Sequence, residues 1–269
     1  QGVWHAVELA RDAGRSGYDT VIAAGGDGTV NEVINGLMMA LERGDRIPAM
    51  GSLSVGRGND FAYGADVPAD LAACVDVVAA GRTRVMDVGR VQGGDYPQGR
   101  YFGNGIGVGF DTIVGLEAAK LKRVHGFMAY VIGALKTFIM YPAAPGVRVE
   151  HDGGVIEQET HQISIMNGKR MGGTFFMAPH SVNHDGLLDM CMAEKLSRGE
   201  VIRRYTKGTQ AGHPKIKTAQ SARYAISAPE GGLVVHSDGE TICTDGKSLV
   251  IECLASRIAM LCDEGTSRT

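Results

Sequence analysis

Three short stretches of the chain place residues of the right types at spacings that could do chemistry. Gly25-Gly26-Asp27-Gly28-Thr29 sets three glycines around a carboxylate. Backbone N–H groups in such a turn, leading into a helix N-terminus, form an anion cradle, and glycine lets a phosphate approach the main chain. Asp27 would repel that phosphate unless it holds a divalent cation or handles a proton; the plainer alternative is that it caps the helix. Neither a Lys-Ser/Thr pair nor a third spaced glycine follows, so this is neither a P-loop nor the dinucleotide fingerprint. In Gly56-Arg57-Gly58-Asn59-Asp60, two glycines again open the backbone, Arg57 suits phosphate, and Asn59 and Asp60 can order the loop. The third stretch, Ser237-Asp238-Gly239-Glu240, carries two carboxylates, although Asp-Gly alone is a favoured hairpin dipeptide.

Strands and helices must position these loops. Residues 18–26 read as a buried parallel strand, apolar on both faces. Over 27–45, Val30, Val33, Ile34, Leu37, Met38 and Leu41 form a helical stripe, with Thr29 and Glu32 as a capping box and Gly44 as the stop. A second unit follows: strand 49–55, turn 56–62 and helix 69–80. Residues 83–91 make a further strand with Asp87 near its middle, and 3–14 read as a helix ahead of the first loop. The alternation predicts an α/β layer with a mostly parallel sheet and both glycine loops at its carboxyl edge, where ligands bind.

From about residue 89 the texture changes to short alternating runs at 100–110, 146–152, 161–167, 187–193, 222–228, 231–240 and 247–254, predicting a mostly β half. Within it, Phe127, Val131, Leu135 and Ile139 lie at helical spacing in the apolar stretch 124–145. His125 and Lys136 interrupt that stretch, so a core helix is expected rather than a membrane span.

The 269 residues, 44% apolar and 21% charged, fit one large or two modest domains with a real core. A formal charge of −3, from 27 basic and 30 acidic residues, argues against broad nucleic-acid binding. Five scattered cysteines without a CxxC pair argue against a disulfide scaffold or structural zinc and point to a reduced compartment. No signal peptide is read at the start. Because Gln1 opens on a helix already under way, a native N-terminal piece is expected before it. The tail 265–269 is expected to fray.

GGDGTVNEVING (25–36) followed by VGRGNDFA (55–62) resembles the catalytic domain of the diacylglycerol and sphingosine kinase superfamily, most of all the soluble bacterial lipid kinases. MDVGRV (86–91), GNGIGVGFD (103–111), NGKRMGG (167–173), MAPHSVNHDGLLDM (177–190) and SDGE (237–240) extend the resemblance, in the family's order, over nearly the whole chain. It implies an N-terminal NAD-kinase-like α/β domain, 1–88, and a C-terminal β-sandwich-like domain, 89–269, with the active site in the cleft between them. The last ~15 residues would return to the first domain.

By the same resemblance, ATP would lie on Gly25, Gly26, Asp27, Gly28, Thr29, Asn31 and Glu32 and on Gly56, Arg57, Gly58 and Asn59. Mg2+ would be reached, largely through water, by Asp27 and Asp87. Asp185, in the loop 183–187, would hold a second, structural divalent cation. Asp238 would be the base for the lipid hydroxyl with Glu240 beside it, and Asp27 is the competing base. Phosphoryl transfer asks mainly for alignment, charge neutralisation and a proton acceptor, which these groups supply.

Two departures from the family pattern stand out. Nothing before His5 matches the family's Asn-Pro strand, and Arg57 replaces a threonine, trading a hydroxyl for a cation. The implied protein is cytoplasmic, meets its lipid substrate at a membrane surface, and leaves a homodimer open. Lys120, Lys122 and Arg123 would touch anionic lipid, and Lys169 and Arg170 would neutralise ATP or a headgroup, with a solvated turn as the equal alternative. His180 and His184 read as surface histidines, and most of the twelve methionines as core. The rivals are an NAD kinase and a non-catalytic lipid- or nucleotide-binding relative.

Overall fold

The computed structural model describes residue 2 and residues 4–121, 127–140, 143–197, 199–200 and 214–263. Lys122, Arg123 and the tail 265–269 lie outside the described residues.

The N-terminal part begins with α1 (His5–Ala13), β1 (Thr20–Gly25) and α2 (Asp27–Glu42). The apolar stripe of α2 is buried from Val30 to Ala40 against α1 and the sheet. Then come β2 (Ala49–Ser54), a short α3 (Asp60–Gly64) and α4 (Leu71–Ala80), whose N-cap Asp70 accepts a hydrogen bond from Ala73 N at 3.0 Å. β1 and β2 pair in parallel, Thr20 opposite Ala49 through Gly25 opposite Ser54, so both glycine loops leave the same edge.

The expected third parallel strand, β3 (Thr83–Gly93), does not join β2. The last strand among the described residues, β13 (Ser248–Leu261), takes that place: Met260 lies opposite Met50 of β2, and β3 runs antiparallel along β13 on both sides of a bulge between Leu254 and Ile258. The mostly parallel sheet is thus corrected to a parallel β1–β2–β13 edge on a sheet that is otherwise antiparallel. β3 passes through residues 88 and 89 without interruption, and the two halves share it together with β13.

The β-rich half comprises β4 (Tyr96–Phe102), β5 (Gly105–Gly109), β6 (Gly146–His151), β7 (Gly154–Met166), β8 (Leu188–Glu194), β9 (Ile216–Ser221), β10 (Arg223–Ser227), β11 (Leu233–Ser237) and β12 (Glu240–Gly246). β7 pairs with β6 through its first half and with β5 and β8 through its second. One core fills this half around Phe102, Ile163, Ile165 and Tyr224; a second lies under α2 and includes Ile34, Leu37, Met50, Ile258 and Met260.

Among the described residues, α5 (Phe110–Ala119), which periodicity missed, crosses the β-rich half, and α6 (Phe127–Met140) packs on it. The expectation for α6 is corrected. Its buried face is Gly133 and Thr137, while Val131, Leu135 and Ile139 face solvent, Leu135 being 62% exposed. No helix among the described residues is long and apolar enough to cross a membrane.

Candidate active site

The two glycine loops touch backbone to backbone. A Cβ on Gly56 would stand 2.2 Å from Gly26 Cα, so only glycine allows that approach. Asn59, in the left-handed conformation at φ 51°, ties its own loop: its Oδ1 accepts from Gly56 N at 3.0 Å and its Nδ2 donates to Gly56 O at 3.0 Å. Gly26 is the N-cap of α2, and Val30 N donates to its carbonyl at 3.1 Å. The unpaired N–H groups of the first turn, with the positive end of the helix dipole, therefore face the loops. The Asp27 carboxylate hangs over this mouth, with Oδ1 accepting from Phe61 N at 3.0 Å.

Opposite, Asp238 occupies the tip between β11 and β12 at φ 47°. Its Oδ2 accepts from Gly103 N at 2.8 Å and Asn31 Nδ2 at 3.0 Å, and its Oδ1 from Gly105 N at 2.9 Å and Asn104 N at 3.1 Å. The Gly103-Asn104 link that separates β4 from β5 is the turn wrapping this carboxylate. Burial pushes the Asp238 pKa above the ordinary carboxylate range and the charge of Asp27 adds to that, while the N–H groups of Gly105 and Gly103 and the Asn31 amide pull it back.

A cavity of about 310 Å3 joins the two sides, with Asp27, Asp60 and Asp238 at its polar end and Gly115, Leu116 and Ala119 of α5 along an apolar wall.

The cavity also holds groups to which sequence reasoning gave no catalytic or binding role. Asp60 is buried beneath Asp27, accepting from Arg170 Nε at 3.0 Å and from Gly173 N. Burial first and the Asp27 charge second raise its pKa to about 6, against the pull of Gly173 and Arg170. Asp111, in the first turn of α5, and His236 stand 3.6 Å apart (Oδ2 to Nε2) on the cavity wall. Asp60, Asp111 and His236 all lie inside or beside the motifs, but no spacing announced that the fold would gather them.

Comparison with known proteins bears on this constellation. Residues 1–91 match the diacylglycerol kinase catalytic domain, and residues 104–261 match the YegS C-terminal NAD kinase beta sandwich-like domain. A diacylglycerol kinase of Bacillus subtilis is 34% identical over 246 residues, covering 85% of this chain and 77% of that protein. One of Staphylococcus epidermidis is 33% identical over 225 residues, covering 81% and 67%. This chain belongs to the diacylglycerol kinase family.

Solved structures agree on the fold of this lipid kinase. A diacylglycerol kinase from Bacillus anthracis superposes with a TM-score of 0.72 at 22% identity, covering 98% of this chain and 83% of that one. An NAD kinase from Archaeoglobus fulgidus in complex with ATP superposes at 0.51 with 16% identity, covering 95% and 81%. The NAD-kinase-like α/β part and the β-sandwich-like part are thus both present.

Not every residue expected at the kinase site reaches it. Gly25, Gly26, Gly28 and Thr29 lie at the mouth, and a Cβ on Gly25 would strike the Thr29 hydroxyl at 2.3 Å. The capping box is corrected: α2 starts at Asp27, and Glu32 instead accepts from Trp4 N and Ala6 N, each at 3.1 Å, capping α1. Asn31 is fully buried and spends both ends of its amide on protein partners. Arg57 is exposed on the second loop. Arg170 is neither a solvated turn residue nor a free cation, because it pairs with Asp60 and stacks on Tyr63 at 4.1 Å.

Asp87 is not gathered with Asp27. It is 1% exposed, and its carboxylate accepts from Gly186 N and Ser256 N, each at 2.7 Å, clamping the 183–187 loop to the bulge of β13. Asp185 is exposed and accepts from Leu187 N at 3.0 Å. Glu240 is exposed at the start of β12 and does not line the cavity.

Proposed function

We propose that this chain transfers the γ-phosphate of ATP to a hydroxyl of diacylglycerol or a closely similar lipid, with Asp238 as the base. The observation that carries this reading is the enclosure of the Asp238 carboxylate at the polar end of the cavity, across from Asp27 and beside an apolar wall. Four donors fix its oxygens, and burial raises its proton affinity, which suits a group that takes a hydroxyl proton as the phosphoryl group moves. Gly25 to Thr29 and Arg57 to Asn59, with the N-terminus of α2, supply N–H groups for the polyphosphate, and Arg57 adds an exposed cation.

Mg2+ fits the charge pattern. The charge of Asp27 raises the cost of ionising Asp60 beside it, and Asp27 Oδ2 takes no hydrogen bond among the described residues. Among the described residues, no group of three metal-ligating side chains converges there. The ion would be held by Asp27 with phosphate and water oxygens, and would neutralise polyphosphate charge.

The lipid would enter along α5. Beside it, α6 presents Met128, Val131 and Leu135 to solvent, with Lys136 on the same helix and Lys120 at the end of α5. This pattern suits the surface of an anionic bilayer and supports peripheral membrane contact.

The deciding experiment measures transfer of labelled γ-phosphate to micellar diacylglycerol, monoacylglycerol, ceramide and sphingosine, with NAD as the rival acceptor. Label in a lipid, lost in Asp238→Asn while ATP still binds, supports the reading. Label in NAD alone, or full lipid activity in the variant, overturns it.

A further inference from the structure

Arg100 on β4 is an arginine 3% exposed with no ion pair among the described residues. A buried cation needs compensation. Part of it comes from aromatic faces: the guanidinium carbon lies 4.6 Å from the Trp4 ring centroid and 5.1 Å from that of Tyr96. Two hydrogen bonds supply the rest, Nη1 to Tyr96 Oη at 2.8 Å and Nη2 to Asn31 Oδ1 at 2.9 Å, while Nε is left without a partner.

The second bond has a chemical consequence. A guanidinium only donates, so the Asn31 face toward it must be the carbonyl oxygen. Asn35 Nδ2 donates to the same oxygen at 3.2 Å, which fixes the amide twice over. The Asn31 NH2 is thereby aimed the other way, at Tyr101 O, 3.1 Å away, and at Asp238 Oδ2, 3.0 Å away. Turned by half a rotation, Asn31 would set its NH2 against the guanidinium and its oxygen against the carboxylate, two repulsive contacts for two attractive ones.

We propose that Arg100 is a positioning residue for the base: through Asn31 it orients the Asp238 carboxylate and keeps one of its four donors in place. This rests on the kinase reading of Asp238. A lysine could also sit between two rings, but its ammonium is a point charge without the planar fork that reaches Asn31 and Tyr96 together. Losing Arg100 removes the shorter of the two hydrogen bonds to the Asn31 oxygen and leaves Asn35 alone to hold the amide, so the donor to the base is less firmly aimed. The glycine loops that would hold ATP are untouched.

The test is a cycle of Arg100→Gln, Asn31→Ala and the double variant, in lipid phosphorylation with melting temperatures recorded. Each single change should lower kcat about tenfold with KM for ATP within about twofold, and the double variant should lose no more than Asn31→Ala alone. Losses that multiply in the double variant, or that appear in KM for ATP, overturn the proposal. If Arg100→Gln does not fold, Arg100→Lys takes its place, with the same non-additivity required.

A readout independent of turnover is the NMR signal of the Asn31 side-chain NH2, assigned by Asn31→Ala. It should move on Asp238→Asn when Arg100 is present and stay in place when Arg100 is substituted; an equal movement in both backgrounds overturns the coupling. If no lipid accepts phosphate, the kinase reading falls and this signal alone decides whether Arg100 orients Asn31 toward Asp238.

Discussion

Replacing Asp60 by asparagine should change the pH dependence of stability in a way the cavity dictates. Asp60 is held at a pKa of about 6 rather than 3.8, chiefly by burial and then by the charge of Asp27. A carboxyl group whose folded pKa is raised gives stability that is full below its unfolded pKa and is lost as pH rises through the folded value. The rise from 3.8 to about 6 corresponds to about 3 kcal/mol, surrendered by the wild type between about pH 4 and pH 7.

Asparagine cannot ionise, so the variant lacks that loss. It keeps an acceptor for Gly173 N, and the ion pair it cannot form with Arg170 is one the wild type makes only when ionised, an attraction already counted in its pKa of about 6. Urea unfolding of both proteins from pH 4 to pH 8 gives a difference curve in which the other titrations cancel. The variant should gain about 3 kcal/mol on the wild type across that range, and Mg2+ near Asp27 should shrink the gain. Parallel profiles, or a wild type that gains on the variant as pH rises, would refute the assignment of Asp60 as the penalised charge.

Gly56→Ala must drive a methyl into Gly26; a loss of about 1–3 kcal/mol and a raised KM for ATP are expected, read by melting and by kinetics. Asp87→Ala should cost about 2–4 kcal/mol by orphaning the N–H groups of Gly186 and Ser256, with KM for ATP nearly unchanged; a large rise in KM with stability intact would restore Asp87 to the metal site. Leu135→Glu on α6 should weaken sedimentation with anionic vesicles about tenfold without lowering the melting temperature, since Leu135 is already exposed in the free protein. Glu32→Ala should cost about 1 kcal/mol through the lost cap of α1 and leave nucleotide binding as it was.

The parts of this molecule legible in the sequence are those governed by local rules. The α2 stripe, the strands before each glycine loop and the loops themselves follow from periodicity and from the need for bare backbone at Gly26 and Gly56. What pairs with what was not legible, because strand partners are chosen by tertiary packing: β13 takes the place beside β2 that residues 83–91 were expected to fill. The same cause explains the site. Asp87 and Asp60 are both acids near apolar segments, and only the fold decides that one clamps a bulge while the other lies under Asp27. Glu32 has the spacing of a capping box, yet α1 packs close enough to claim it. The α6 stripe has core periodicity but faces outward, since a hydrophobic repeat specifies a face and not what covers it.

The placement of β13 also bears on how the protein is made. The core under the first glycine loop includes Ile258 and Met260, and β2 finds its second neighbour only in β13. Nearly all of the chain must therefore leave the ribosome before the half that was synthesised first can close its sheet. Until then β1 and β2 present an open edge and exposed apolar surface, the kind of species that calls for chaperones or binds the wrong strand. The nucleotide loops are encoded early and completed last, so a chain that stops short of residue 258 has every motif of the kinase and no finished sheet on which to hold them.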